Sequence, residues 1–297
     1  FNEIVRKLPT NEVEIEVSNS FATHIRSGKS EFHLIGQDSS EYPLLPELSA
    51  DQQFSIPADL LKSIIRETVF AVATSESRPV LTGVNWHIHN DELICVATDS
   101  HRLARRKVKL EQLPTEVNSV VIPGKSLNEL NKILEDSTNP VQIVMTSQQV
   151  LFKTEGVLFF SRLLEGNYPD TSRLIPTDFK TSVTIDGKAL LQAIDRASLL
   201  AREDRNNVVR FETIDTNVVE ISSNSPEIGK VEEEITVSNM EGEGLKISFS
   251  AKYMMEALKA IEGQDVVIQF AGAMRPFIIR SIHDDAILQL ILPVRTY

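Results

Sequence analysis

The fold is decided by two similar stretches, Phe54-Ser-Ile-Pro-Ala-Asp-Leu-Leu-Lys-Ser-Ile-Ile-Arg66 and Val183-Thr-Ile-Asp-Gly-Lys-Ala-Leu-Leu-Gln-Ala-Ile-Asp-Arg196. Each reads as a strand that enters a helix, and each helix carries Leu-Leu-x-x-Ile-x-Arg. A second pair follows in the same order, Val120-Val-Ile-Pro-Gly-Lys-Ser-Leu127 and Ile247-Ser-Phe-Ser-Ala-Lys-Tyr-Met254. These four stretches indicate an internal repeat with a period of about 126 to 130 residues.

The first residues of the chain fit the same repeat. Phe1-Asn-Glu-Ile-Val-Arg-Lys-Leu8 resembles Leu127-Asn-Glu-Leu-Asn-Lys-Ile-Leu134. We therefore expect the chain to begin inside a first copy, at its second helix, and to continue through two complete copies. The missing initiator Met agrees with a longer protein, short here by roughly 80 residues. The alternative is chance similarity among short amphipathic segments. The expected domains are residues 1–50, 51–176 and 177–297.

Each copy shows the same order of predicted elements. A strand leads into a helix, several strands follow, and the pattern then runs a second time. Along one strand Val84, Trp86 and Ile88 share a face and alternate with polar residues. About two helices and eight strands per copy predict an α+β fold, with antiparallel sheets and helices on one face. Prolines mark the expected linkers at residues 42–46 and 168–176.

Composition narrows the class of protein. The chain has 297 residues, one Cys and a net charge of −12. One Cys excludes an intrachain disulfide framework and a Cys-rich metal site, and no apolar run reaches the ~20 residues that a membrane helix needs. We expect a cytoplasmic protein that uses neither a metal nor a cofactor. The acidic charge argues against a simple basic nucleic-acid binder, but not against one whose basic residues share one surface.

The predicted helices carry basic residues at equivalent positions in every copy. Spacings of four and seven residues place each pair on one helix face. A single such residue is typical of a solvated helix, but the recurrence indicates one concave surface that faces a polyanion, with DNA the first candidate. The candidate DNA-binding residues are Arg6, Lys62, Arg66, Lys125, Lys132, Arg196, Lys252 and Lys259.

Three short motifs lie far apart in the sequence. They are Thr98-Asp-Ser-His-Arg-Leu103, Tyr168-Pro-Asp-x-x-Arg-Leu-Ile-Pro176 and the C-terminal Leu292-Pro-Val-Arg-Thr-Tyr297. Together they resemble the bacterial replicative sliding clamp, the β subunit of DNA polymerase III, and the ending is similar to versions from low-GC Gram-positive bacteria. The resemblance covers the whole chain. It departs from the family in one respect, because the first domain is expected to lack its opening half.

The resemblance implies the DNA clamp fold and a non-catalytic function. In the family, a head-to-tail homodimer closes a ring around duplex DNA and tethers the polymerase for processive synthesis. The implied partners are duplex DNA without sequence preference, the DNA polymerase III alpha subunit, the clamp loader and other proteins with a clamp-binding motif. A membrane is not among the expected partners. The clamp itself is implied to be a processivity factor and not an enzyme.

The resemblance also places the three motifs together in a peptide-binding cleft between the second and third domains. Leu side chains are expected to form its apolar floor, His and Arg side chains its polar rim, and two Pro residues its walls. The alternative is that these Leu residues are plain core. The candidate peptide-binding residues are Leu81, Thr98, Ser100, His101, Arg102, Leu103, Pro169, Arg173, Leu174, Leu290, Leu292, Pro293, Val294 and Arg295.

A dimer interface is implied as well. In the family, an edge strand of the first domain pairs with the third domain of the other subunit, and the matching strand here is Ser30–Ile35. An exposed apolar edge strand tends to pair unless a partner covers it. The acidic segment after residue 231 is expected to pair with Arg26 and Lys29 of the other subunit. The candidate interface residues are Lys29, Phe32, Leu34, Leu199, Leu200, Glu232, Glu233 and Glu234.

Two other functions stay open at this point. One is a peptide-binding scaffold whose basic helices are incidental and which does not encircle DNA. The other is a hydrolase that uses Asp99 and His101, although the sequence shows no activated Ser with an oxyanion loop and no nucleotide-binding Gly motif. His87 and His89 share one face of a predicted strand, but they lack the further ligands that a metal shell needs.

Overall fold

We analysed a computed structural model, which describes residues 1–41, 53–111, 119–201, 207–262 and 264–295. The chain divides into two compact units, residues 1–48 and residues 49–297. The expected linker at residues 42–46 and the last two residues of the C-terminal motif lie outside the described residues.

The first unit is a short helix followed by a three-stranded antiparallel sheet. The strands are in the order β1-β2-β3, so β3 is an edge strand of this sheet within the described residues. Ile25 of the middle strand is fully buried. The expected edge strand is confirmed with the bounds that the sequence predicts. The elements are α1 (Asn2–Arg6), β1 (Glu14–Val17), β2 (Ala22–Ser27) and β3 (Ser30–Ile35).

The second unit begins with one complete copy of the repeat. Pro57 and Pro123 each end a strand and cap the helix that follows, where the missing N–H of Pro leaves no hydrogen bond unmade. The elements of this copy are β4 (Gln53–Pro57), α2 (Ala58–Thr68), β5 (Gly83–His89), β6 (Glu92–Thr98), β7 (Arg102–Lys109), β8 (Ser119–Pro123), α3 (Gly124–Ile133), β9 (Pro140–Met145), β10 (Gln149–Thr154) and β11 (Val157–Arg162).

The second copy has the same order of strands and helices, and its hairpins are longer. The predicted repeat is therefore confirmed, since both strand-to-helix units recur in order. The elements of this copy are β12 (Thr181–Asp186), α4 (Gly187–Ala201), β13 (Val208–Asp215), β14 (Val218–Ser225), β15 (Gly229–Thr236), β16 (Asn239–Gly242), β17 (Lys246–Ser250), α5 (Ala251–Ala260), β18 (Asp265–Phe270), β19 (Phe277–Ser281) and β20 (Ile287–Ile291).

One sheet runs through both copies. Its nine strands have the order β16-β12-β18-β19-β20-β7-β6-β5-β8, and the pair that joins the copies is β20 with β7. In that antiparallel pair Ile287 lies opposite Arg106, and Ile291 lies opposite Arg102. Each copy also has a four-stranded antiparallel sheet, β11-β10-β9-β4 and β15-β14-β13-β17. The pairing places the basic strand β7 directly beside the C-terminal strand.

Each copy has its own hydrophobic core. The core of the first copy surrounds Trp86, whose ring meets Phe152 edge-on, and the core of the second contains Phe211 and Phe270. The helices form one row, because α3 contacts α2, α2 contacts α5, and α5 contacts α4. This α+β arrangement of antiparallel sheets and helices confirms the predicted fold class. Within the described residues, no helix has the length and apolar character to span a membrane.

Candidate functional site

The first motif forms a tight turn between β6 and β7. Ser100 at its tip adopts a φ of 78°, in the left-handed region. The Asp99 carboxylate accepts hydrogen bonds from the backbone N–H groups of His101 (2.9 Å) and Arg102 (3.1 Å). The Thr98 hydroxyl donates to the carbonyl of Arg102 at 2.6 Å. The polar residues of the motif therefore fix its backbone and leave the His101 side chain exposed at the surface.

The other two motifs meet this turn. The Thr98 N–H donates to the phenol oxygen of Tyr168 at 3.1 Å, and burial raises the pKa of that phenol. After β20, the Leu292 N–H donates to the carbonyl of His101 at 3.0 Å, and the Val294 N–H donates to the carbonyl of Ser248 at 2.8 Å. The structure thus brings the three motifs together where the two copies join.

Part of the predicted apolar floor is exposed and part is closed core. Leu174 is 51% exposed and Leu292 is 37% exposed. Leu81, Leu103 and Leu290 were expected to form an accessible floor, but they are buried. The paired strands and the turn before β5 cover them. Thr98 is buried, Pro293 and Val294 are half-buried, and the exposed predicted residues of this site are Ser100, His101, Pro169, Arg173, Leu174, Leu292 and Arg295.

Arg102 was predicted at the polar rim, and that prediction is wrong. Its side chain is 7% exposed. The Nε atom donates to Asp99 at 3.0 Å, one terminal nitrogen pairs with Glu256 of α5, and the other donates to the carbonyl of Phe70 at 2.6 Å. The guanidinium also lies 4.4 Å from the centre of the Tyr253 ring. A long cationic side chain is buried here because every face of it finds a partner.

Tyr253 is a site residue that the sequence analysis missed. Its ring stacks on His101 with the centroids 6.4 Å apart, and it covers the guanidinium of Arg102. Arg78 also reaches the turn, with Nη1 3.4 Å from the Ser100 hydroxyl oxygen. Neither residue belongs to the three motifs, so only folding reveals them. The exposed His101 therefore has an aromatic wall on the side of α5.

The pair Asp99 and His101 does not form a hydrolytic dyad. The Asp99 carboxylate is used by two backbone N–H groups and by Arg102. The His101 ring stacks on Tyr253. Among the described residues, no group of three His, Cys, Asp or Glu side chains is arranged to hold a metal ion. The geometry of this turn supports a binding surface and offers no assembled nucleophile and base.

The row of helices carries seven of the eight predicted basic residues, and Arg6 lies on α1; not all of them are equally available. Lys125, Lys252 and Lys259 are exposed, and within the described chain no carboxylate lies within 4.0 Å of their ammonium groups. Arg6 on α1 is exposed in the same way. The other four predicted residues are held in ion pairs: Lys62 with Asp136, Arg66 with Glu262, Lys132 with Glu129, and Arg196 with Glu233.

The predicted interface residues show a mixed outcome. Phe32 and Leu34 share one half-buried face of β3, and Leu199 on α4 is 54% exposed. The expected charge pairing is altered, because Glu233 already pairs with Arg196 at 2.9 Å. Arg196 thereby lowers the pKa of the Glu233 carboxyl. Three further ion pairs involve Glu232, which pairs with Lys230, and Arg26, which pairs with Glu14 and with Glu31.

A second buried ionic cluster lies where the copies meet. Glu67, at the end of α2, is 6% exposed and has an oxygen 3.3 Å from Nε of Arg106. The same guanidinium pairs with Asp284 of the second copy. Burial raises the pKa of the Glu67 carboxyl to about 7, with Arg106 opposing that rise and Asp284 adding to it. In addition, Gln289 donates to the Glu67 carbonyl at 3.2 Å.

Comparisons with known proteins agree with this geometry. Sequence profiles of the DNA polymerase III beta subunit match the chain in three parts, the N-terminal domain at residues 1–46, the central domain at 55–170 and the C-terminal domain at 172–295. A beta sliding clamp of Bacillus subtilis is 61% identical over all 297 residues, which span 79% of that protein, and one of Staphylococcus aureus is 54% identical.

Solved structures show the same likeness. A DNA polymerase sliding clamp of Bacillus subtilis superposes with a TM-score of 0.93 at 61% identity, over 100% of this chain and 78% of that one. A sliding clamp of Pseudomonas aeruginosa bound to griselimycin has a TM-score of 0.87 at 26% identity, over 99% of this chain and 79% of that one.

Proposed function

This chain belongs to the family of the bacterial DNA polymerase III beta subunit, the sliding clamps, and from that membership we propose that it encircles duplex DNA and tethers the replicative polymerase. The ring is a head-to-tail homodimer. The chain performs no chemistry of its own and acts as a processivity factor. The observation that carries the proposal is the continuous row of helices α3, α2, α5 and α4 with exposed Lys residues on an otherwise acidic protein.

The charge distribution suits a protein that slides. Exposed lysines on helices attract the phosphate backbone without reading bases. Lys125, Lys252 and Lys259 are the strongest candidates, since they hold no ion pair with a described carboxylate. The four residues already in ion pairs exchange those partners for phosphates only at a cost, so each contributes less. A net charge of −12 keeps the remaining surface from adhering to DNA.

The joined motifs form the docking cleft for partner peptides. Exposed Leu174 and Leu292 offer apolar contact, while His101 and Arg173 offer polar contact. Burial of two or three peptide side chains gives roughly 4 to 8 kcal/mol before ordering costs, so the affinity for one peptide is about micromolar at the strongest. The partners are the polymerase alpha subunit, the clamp loader and other proteins with a clamp-binding motif. The Leu residues that are buried support the shape of the cleft from below.

The remaining parts of the proposal concern organisation. The domains are residues 1–50, 51–176 and 177–297, of which residues 1–50 correspond to the second half of the first clamp domain. The dimer forms when the half-buried face of β3 meets the end of α4 of another subunit, around exposed Leu199. The protein acts in the bacterial cytoplasm, where the chromosome is copied, and it is of the Gram-positive type.

The test is retention on DNA of different topology. After loading by the clamp loader, the protein should stay on nicked circular DNA and leave the same DNA once it is cut to a linear form. Retention that does not depend on circularity would refute encirclement and leave a peptide-binding scaffold.

The helix surface is tested by charge reversal. Reversing Lys125, Lys252 and Lys259 to Glu should lower the log–log salt dependence of DNA binding by about 2 to 3 units per protomer, because each phosphate contact contributes about 0.9. Folding should be unchanged, since all three side chains are exposed. The control variant reverses three lysines that lie outside the helices, Lys109, Lys153 and Lys180. An equal decrease in the salt dependence of its DNA binding would refute the assignment of DNA contacts to the helix surface.

A further inference from the structure

We propose that a groove on the sheet face opposite to α2 binds an acidic peptide segment of a partner protein. The groove has a volume of about 1420 Å³ and lies between the nine-stranded sheet and the chain that links the two copies. Its sheet side includes Arg105 and His87, and its other side runs from Arg162 through the linker to Ile175. The groove shares Pro169 with the docking cleft, whereas His101, Arg173, Leu174 and Leu292 of that cleft do not line it, so the two sites adjoin but are distinct.

The floor of the groove holds a guanidinium that lacks a counter-ion. Arg105 of β7 lies opposite Leu288, and Arg280 lies on the next strand, β19. The Nε atoms of both arginines are buried and make no hydrogen bond within the described structure. Burial and the nearby Arg280 lower the pKa of Arg105. A carboxylate of a ligand would relieve both the desolvation and the repulsion.

The nearest acidic group does not neutralise this site. Glu92 favours the charged form of Arg105, but its carboxylate is paired with Lys107 at 3.1 Å. Among the described residues, neither Arg105, Arg280 nor Arg162 has a carboxylate within 4.0 Å. By contrast, Arg102 and Arg106 on the opposite face of β7 are each matched with acidic partners. The same strand is therefore neutralised on one face and cationic on the other.

The groove has further hydrogen-bonding side chains besides Arg105. The imidazoles of His87 and His89 stack with their centroids 6.1 Å apart on β5, and exposed Arg162 ends β11. Glu165 and Asp170 stand on the linker side of the groove. The Asp170 carboxylate already accepts hydrogen bonds from the hydroxyl and the backbone N–H of Ser172. The two arginines thus stand on the sheet side, at Arg105, and at the start of the linker side, at Arg162, while the carboxylates follow farther along the linker.

The size and lining favour a peptide over a small ion or a nucleic acid. The volume exceeds the roughly 300 to 1,000 Å³ of small-molecule sites. Half-buried Ile94 and Ile175 add apolar surface beside the cations, which suits a peptide that alternates acidic and apolar side chains. Nucleic acid lacks support, because Tyr168, the one Phe, Tyr or Trp among the described lining residues, is half-buried and hydrogen-bonded to Thr98, and the imidazoles of His87 and His89 already stack on each other.

The test uses fluorescein-labelled hexaglutamate as the probe and hexaglutamine as its neutral control. Fluorescence polarisation in about 50 mM salt should give a dissociation constant for hexaglutamate below about 1 mM and none measurable for hexaglutamine. Arg162→Glu, at an exposed position, should weaken binding at least about tenfold, and so should Arg105→Gln. The protein carries a net charge of −12, so general attraction of the probe is disfavoured from the outset.

Lys153→Glu is the matched control, because it changes the net charge by the same amount as Arg162→Glu. Lys153 is exposed on the same four-stranded sheet as Arg162, but it does not line the groove. It should change the affinity less than about twofold. The proposal is overturned if hexaglutamate does not bind, or if Lys153→Glu and Arg162→Glu weaken it equally. Displacement of the probe by inorganic phosphate or by single-stranded DNA at equal concentration would also overturn it, in favour of an ion site or a nucleic-acid site.

Discussion

Glu67→Gln is expected to stabilise the joint between the two copies, and to do so increasingly as the pH rises. Glu67 is buried between α2 and the second copy, beside Arg106 and Asp284. Burial raises the pKa of its carboxyl from 4.5 to about 7. A Gln side chain has nearly the same shape as a protonated Glu but cannot ionise. The hydrogen bond from Gln289 uses the backbone carbonyl of residue 67 and survives the change.

The magnitude follows from the difference between the two pKa values. Below about pH 4.5 the carboxyl is protonated in the folded and the unfolded chain, so its raised pKa costs no stability. Between pH 4.5 and pH 7 only the unfolded chain ionises, which lowers the free energy of unfolding, and above pH 7 the loss levels off. One pKa unit is worth about 1.4 kcal/mol, so Glu67→Gln should add about 1 kcal/mol at pH 5 and about 3 kcal/mol at pH 8.

The assay is urea unfolding of both proteins at pH 5, 6, 7 and 8. The difference in unfolding free energy should grow by about 2 kcal/mol from the lowest pH to the highest. Glu129→Gln serves as the control, because Glu129 is exposed on α3 and its one ion pair within the described part of the chain is with its neighbour Lys132. A difference that does not change with pH would show that Glu67 is ionised in the folded protein and that the ion pair with Arg106 outweighs burial.

Three further outcomes are expected. Leu199→Asp with Leu200→Asp should give monomers in sedimentation, since two charges then stand on the exposed end of α4; a dimer that persists would exclude this interface. His101→Ala with Arg173→Ala should weaken a clamp-binding peptide about tenfold in a calorimetric titration and leave DNA retention unchanged; equal affinity would place the cleft elsewhere. Arg102→Met should lower the unfolding free energy by about 3 to 5 kcal/mol, because its partner carboxylates stay partly buried without a cation; a loss below about 1 kcal/mol would show that the cluster gives no net stabilisation.

Much of the fold could be predicted because its signals are local. The strand-to-helix units at Phe54 and Val183 recur in the structure, and the edge strand Ser30–Ile35 has the predicted bounds. Periodicity within ten residues sets helices and strands, and the repeat carries that pattern through the chain. The three motifs pointed to the cleft only through the family resemblance.

The sequence did not predict which ion-pair partner each charged side chain has. Arg102 was expected at a rim, yet it pairs with Glu256, which is 154 residues away in the chain. Glu233 was expected to face a second subunit, yet it pairs with Arg196 across 37 residues. Spacing along the chain carries no information about such pairs, because they depend on how strands and helices from different copies are packed.

The sequence by itself determined the repeat, the α+β elements and the basic positions on the helices, since each follows from residue type and local periodicity. Only the tertiary structure decided which of those cations stay available and which are neutralised. It also decided that β20 pairs with β7, so that one face of β7 is matched with acids and the other lines a groove. The physical reason is that burial and ion pairing are properties of three-dimensional neighbours.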